Sequence, residues 1–198
     1  MHRVWTADGT PESELSRIAG SREHQGVVAE VDPYPYASAD ELLTPGALIL
    51  ALDQVQDPGN LGAVCRSAEV AGAAGVVIPS RRAAQVTPAV SKASAGAVEH
   101  LAVARVRNLA DWLGEAKREG GWIYGAQPGA PTSYASVDLR GLVVLVLGGE
   151  ATGLRPRVAG ACDALVAIPQ AGRVGSLNVS AAAAVLLFEA VRQRGRSR

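Results

Sequence analysis

Six short runs of residues, 47–52, 75–78, 101–106, 122–125, 142–147 and 164–168, are apolar at nearly every position, and they constrain the fold more than any other feature of the chain. A strand with water on one face alternates apolar and polar side chains. A run such as Leu142-Val143-Val144-Leu145-Val146-Leu147 instead needs cover on both faces. Between these runs lie helical patterns near 58–71, 88–95, 108–119, 155–161 and 177–194. Strands and helices in alternation predict an α/β protein: a parallel sheet with helices on both faces. Asp57 is expected to cap a helix that has Pro58 at its first position, Asn108 to cap the next long one, and Gly72 and Gly120 to end them. The last helix is apolar all round over Ala181-Ala182-Ala183-Ala184-Val185-Leu186-Leu187-Phe188, which predicts burial on more than one side, by the sheet and by a second subunit.

With 198 residues and 48% hydrophobic content, the chain can bury a full core in one domain plus a small extra element. No apolar run approaches the roughly 20 residues that a bilayer crossing needs, and the N-terminus lacks a basic-then-apolar leader, so a cytoplasmic location is expected. Cys65 and Cys162 stand far apart without CxxC or Cys/His neighbours, and His2, His24 and His100 are scattered, so no metal site is expected. A formal net charge of zero hides an asymmetry. Residues 1–60 carry ten acidic and three basic side chains, a sum of −7, and residues 61–198 carry nine and sixteen, a sum of +7. Arginine makes up 17 of the 19 basic residues, and its planar fork suits phosphate and guanine. A solvated surface would account for the same numbers.

The stretch Ile168-Pro169-Gln170-Ala171-Gly172-Arg173-Val174-Gly175-Ser176-Leu177-Asn178-Val179-Ser180 runs from a strand through a glycine-bearing loop into the last helix. Gly172 and Gly175 let backbone approach a ligand, and Ser176 is read as the helix N-cap. Capping alone would explain Ser176 and Asn178 equally well. Two further segments accompany this one: Asp57-Pro58-Gly59-Asn60-Leu61-Gly62-Ala63-Val64-Cys65-Arg66, and Leu145-Val146-Leu147-Gly148-Gly149-Glu150-Ala151-Thr152-Gly153-Leu154. The glycines after residue 147 suggest a dinucleotide loop, but their spacing is not GxGxxG and no acidic residue ends a strand about 20 residues on.

In order and spacing these three segments resemble the motifs of the SpoU (TrmH-type) RNA ribose 2′-O-methyltransferases, in particular the branch acting on guanosine of 23S ribosomal RNA. The resemblance runs from about residue 23 to residue 194. It implies a SPOUT-type α/β trefoil knot, a homodimer built around the knot, and S-adenosylmethionine held by backbone at Gly148, Ile168 and Leu177. It further implies catalytic roles for Arg66 with its companion Asn60, for Glu150 as the acid that orients Arg66 or a loop amide, and for the polar pair Ser176 and Asn178. Gly149 departs from the family, standing where many members carry asparagine or alanine. Residues 1–36 resemble the end of an N-terminal RNA-binding domain plus a linker, and 37–198 the catalytic domain. Transfer RNA is the alternative substrate, and a non-catalytic RNA-binding or assembly factor is the alternative of a different class.

Overall fold

The computed structural model describes residues 3–149 and 153–195, and the chain divides into two units, 1–35 and 36–198. The first unit pairs strand β1 (Arg3–Thr6) with β2 (Val27–Glu30) in antiparallel register, Arg3 opposite Glu30 and Thr6 opposite Val27. Helix α1 (Glu12–Ala19) connects them, starting after Pro11 and ending at Gly20 in the left-handed region.

The second unit is a seven-stranded sheet. Its strands are β3 (Leu48–Asp53), β4 (Gly75–Pro79), β5 (Ala102–Val106), β6 (Trp122–Ala126), β7 (Thr132–Ser133), β8 (Val143–Gly148) and β9 (Ala164–Ala167). They lie in the spatial order β5-β4-β3-β8-β6-β9-β7, and every neighbouring pair is parallel. All residues of β3 and β4, and the first five of β8, are buried, as their unbroken apolar character requires. Strand β3 ends one residue later than expected, at Asp53, which faces Gly148 across the β3/β8 ladder.

Helices α2 (Pro58–Val70), α3 (Pro88–Ala93), α4 (Leu109–Arg118), α5 (Pro156–Ala161) and α6 (Val179–Gln193) cover the two faces. Leu109, Trp112, Leu113 and Ala116 of α4 and Val158 of α5 join Ile49, Ala51, Val144 and Val146 in the core of one face. By the two-residue period of a strand, Leu50 and Leu145 face the opposite layer, where α2 packs against α3 and α6. Gly62 makes that packing close, since a Cβ there would sit 2.5 Å from Ala93 Cβ and 2.9 Å from Val90 O. Asp57 accepts a 2.7 Å bond from Asn60 N and Asn108 a 3.1 Å bond from Ala110 N, so both expected caps are present.

Helix α6 differs from expectation. It begins at Val179, two residues late, and its N-cap is Asn178 rather than Ser176. Asn178 Oδ1 accepts from Ser180 N at 2.8 Å and from Ser180 Oγ at 2.6 Å, so the first helical donor is already satisfied and Ser176 remains in the exposed loop. The far end of α6 is tied down by backbone bonds: Leu139 N donates to Gln193 Oε1 at 2.9 Å, and Arg194 donates to the carbonyls of Leu139, Gly46 and Gly141. Among the described residues no helix is long and apolar enough to cross a membrane.

Candidate functional site

The carboxyl ends of β6, β8 and β9 open onto a pocket of about 590 Å³, the place where an open parallel sheet offers room for a ligand. Ala126, Gln127 and Pro128 contribute from the end of β6, Leu147, Gly148 and Gly149 from β8, and Val166 and Ile168 from β9. The loop before α6 adds Gln170, Ser176, Leu177 and Asn178, and the helix adds Val179 and Ala182. The walls are mainly aliphatic, with four polar side chains among them: Gln127, Gln170, Ser176 and Asn178. Among the described lining residues none carries a formal charge.

The β8 side of this pocket is built by backbone crossing backbone. A Cβ on Gly148 would lie 2.1 Å from the carbonyl carbon of Gly153, so only glycine fits there. At Gly149 a Cβ would lie 2.6 Å from Gln54 O, so glycine suits this close approach as well. Gly149 N donates to Asp53 O at 2.8 Å and Gly153 N to Gly149 O at 2.9 Å. The chain returns through Arg155, whose N and Nε donate to the buried Asp53 carboxylate while Nη2 stands 2.6 Å from it in an ion pair.

The loop from β9 to α6 is closed by side chains. Oriented to donate, the Gln170 amide reaches Val174 O at 3.1 Å and Gly175 O at 2.8 Å. Asn178 donates from Nδ2 to Asn60 Oδ1 at 3.0 Å, joining the start of α6 to the first turn of α2. Its single amide therefore caps one helix and bonds the other.

Of the residues singled out from sequence, Gly148, Ile168, Ser176, Leu177 and Asn178 line one pocket, and Asn60 is bonded to its edge. Arg66 lies further along α2, exposed and outside the described lining. Among the described residues no ion pair joins it to Glu69, so its guanidinium is not engaged by its own helix. Glu150 falls outside the described residues. Sequence reasoning missed Gln127 and Pro128, although a Gln-Pro-Gly segment directly after a parallel strand stands where ligand loops occur. It also missed Asp53 and Arg155, which are 102 positions apart and share no local pattern.

The profile of the SpoU rRNA Methylase family matches residues 47–188. An uncharacterized tRNA/rRNA methyltransferase of Synechocystis sp. is 43% identical over 187 residues, covering 91% of this chain and 49% of that protein. A 23S rRNA (guanosine-2′-O-)-methyltransferase, RlmB, of Xanthomonas axonopodis pv. citri is 48% identical over 186 residues, covering 91% of this chain and 75% of its own. The chain thus spans about half the length of the first relative and three quarters of the second. Among solved structures, an AdoMet-bound rRNA methyltransferase from Sinorhizobium meliloti superposes with a TM-score of 0.82 at 32% identity, covering 91% of this chain and 69% of that one.

Proposed function

Because the chain belongs to the SpoU rRNA Methylase family, we propose that it transfers the methyl group of S-adenosylmethionine to a ribose 2′-hydroxyl of RNA, at a guanosine of 23S ribosomal RNA. The observation that carries this reading is the convergence of Gly148, Ile168, Ser176, Leu177 and Asn178 on one pocket, with Asn60 bonded to its rim.

The pocket suits that cofactor. Its volume is of the size that takes a small molecule, and its aliphatic walls would hold an adenine or a methionine chain. The described lining residues carry no charged side chain that would hold the phosphates of a dinucleotide as arginine or lysine does. Backbone groups of Gly148, Ile168 and Leu177 would fix its orientation. Bound there, S-adenosylmethionine supplies an electrophilic methyl group on a sulfonium sulfur.

The residues at the rim then serve the ribose. Asn178, held by Ser180 and Asn60, presents a fixed amide at the pocket edge, and Ser176 lies beside it with its hydroxyl exposed. Such rigid polar groups align a hydroxyl for in-line attack and lower the entropy cost of reaction. Arg66 is assigned an electrostatic role: it holds an RNA phosphate or the developing 2′-oxyanion, a contribution of about 3 to 4 kcal/mol to the barrier. A guanidinium has no lone pair to spare for the proton, so Arg66 is unsuited to acting as the base. Glu150 is assigned to orienting Arg66 or a loop amide.

We further assign residues 1–36 to the end of an RNA-binding domain plus linker and 37–198 to the catalytic domain, acting in the cytoplasm as a homodimer. Phe188, a large apolar side chain 48% exposed on α6, supports a subunit contact along that helix. The test is transfer of labelled methyl from S-adenosylmethionine to unmodified 23S ribosomal RNA and to bulk transfer RNA in parallel, with Arg66→Ala as control. Label in ribosomal RNA that the variant abolishes supports the assignment. Label in transfer RNA alone would move the substrate, and label in neither would leave an RNA-binding factor.

A further inference from the structure

Asp53 and Ser94 are the buried polar or charged side chains among the described residues, both at 0% exposure, and of the two Asp53 alone carries a charge. Its place is the last residue of a central strand, opposite Gly148. Three hydrogen bonds and one further ion-pair contact converge on it. Its backbone oxygen accepts from Gly149 N at 2.8 Å. Its carboxylate accepts from Arg155 N through Oδ2 at 2.8 Å and from Arg155 Nε through Oδ1 at 2.7 Å, and Arg155 Nη2 completes the ion pair 2.6 Å from the same Oδ1. One residue therefore grips the chain where it leaves β8 and again where it enters α5, and the span between contributes Gly148, Gly149 and Gly153 to the pocket.

Burying a carboxylate against an arginine side chain that is itself 41% exposed is a poor way to gain stability, since a well-packed apolar pair often does as well or better. What this pair supplies is geometry: one carboxylate oxygen takes the guanidinium and the other the Arg155 backbone N–H, which fixes a single arrangement of two backbone segments. The tolerance here is small, because Gly148 and Gly153 already approach so closely that no Cβ fits between them.

We propose that the Asp53–Arg155 ion pair positions the β8 wall of the pocket for its cofactor, so that both are positioning residues that do not themselves touch the ligand. The proposal rests on the reading of this pocket as an S-adenosylmethionine site. Neither residue belongs to the described pocket lining, whereas Gly149, whose N–H the Asp53 backbone holds, does.

The experiment compares wild type with Asp53→Asn, which removes the charge at nearly constant shape, and Arg155→Lys, which keeps a cation and the backbone donor but loses the fork. Three quantities are measured: S-adenosylmethionine affinity by calorimetry, amide exchange at Gly149 and Gly153, and Tm. Affinity is expected to fall about tenfold in Asp53→Asn and less in Arg155→Lys, a loss of the size that follows from weakening a charge-assisted bond. Exchange at Gly149 and Gly153 should accelerate while amides of β4 keep their protection. In turnover, KM for the cofactor should rise more than kcat falls. Wild-type affinity and unchanged loop exchange, with only Tm lowered, would overturn the proposal and leave the pair a stabilising contact. If Asp53→Asn does not fold, Arg155→Lys decides between these outcomes alone. Accelerated loop exchange with no cofactor binding by the wild type would overturn the functional reading and leave the clamp in place.

Discussion

Asn178 has one side-chain amide and uses both ends of it, the oxygen to cap α6 and the nitrogen to bond Asn60. The two duties can be separated by substitution. Asn178→Ala loses both and should cost about 1 kcal/mol of stability, the usual worth of an N-cap. Asn178→Asp keeps the accepting oxygen and loses only the donor, so its Tm should stay near wild type while methyl transfer falls. Equal losses of folding and activity in Asn178→Asp would return this residue to capping alone. Arg66→Ala should lower turnover roughly 10²- to 10³-fold with Tm unchanged, because the side chain is exposed and supports no contact with Glu69 among the described residues. Single residues were the least legible part of the chain. Ser176 and Asn178 are both good caps, and two candidates two positions apart are told apart only by which backbone N–H each one reaches. Asp53 could not be singled out at all, since its partner is fixed by the tertiary fold.

Elements were read more successfully, because burial on both faces writes itself into every residue of a strand. The six apolar runs are all strands, and Asp57 and Asn108 cap the helices they were expected to cap. Strand β7 has only Thr132 and Ser133 at the sheet edge, too short and too polar to leave a pattern. Two predictions belong at this scale. Gly62→Ala places a methyl 2.5 Å from Ala93 and 2.9 Å from the α3 backbone. It should therefore destabilise by about 1–3 kcal/mol despite a better helix propensity, read as a lower urea midpoint. Cys65, buried in α2, has its thiol pushed by burial from an ordinary value near 9 up to about 12. A pKa raised in the folded state means the stabilising effect is full below pH 9 and is lost as pH rises toward 12. Cys65→Ala should accordingly flatten the alkaline limb of the stability curve, and in the wild type Cys65 should resist thiol reagents at pH 8 until the chain unfolds.

For the whole molecule, the pocket is assembled from the ends of three strands, one loop and one helix, spread from residue 126 to residue 182. No periodicity places those segments together; the order and spacing of the three motifs did, by resemblance, and the family profile over 47–188 bears that resemblance out. The charge asymmetry also acts at this scale. If the arginines of the C-terminal half engage phosphates, RNA affinity should fall linearly with log salt, with a slope reporting the number engaged. An affinity indifferent to salt would contradict that. The proposed reaction is at the ribose, and the fate of the label under alkali tests this directly. Labelled methyl is transferred from S-adenosylmethionine to unmodified 23S ribosomal RNA, and the RNA is then hydrolysed with base. Hydrolysis requires a free 2′-hydroxyl, so a ribose methyl leaves its label in alkali-resistant dinucleotides, which is the result expected here. Label recovered in mononucleotides would place the methyl on a base and contradict the account.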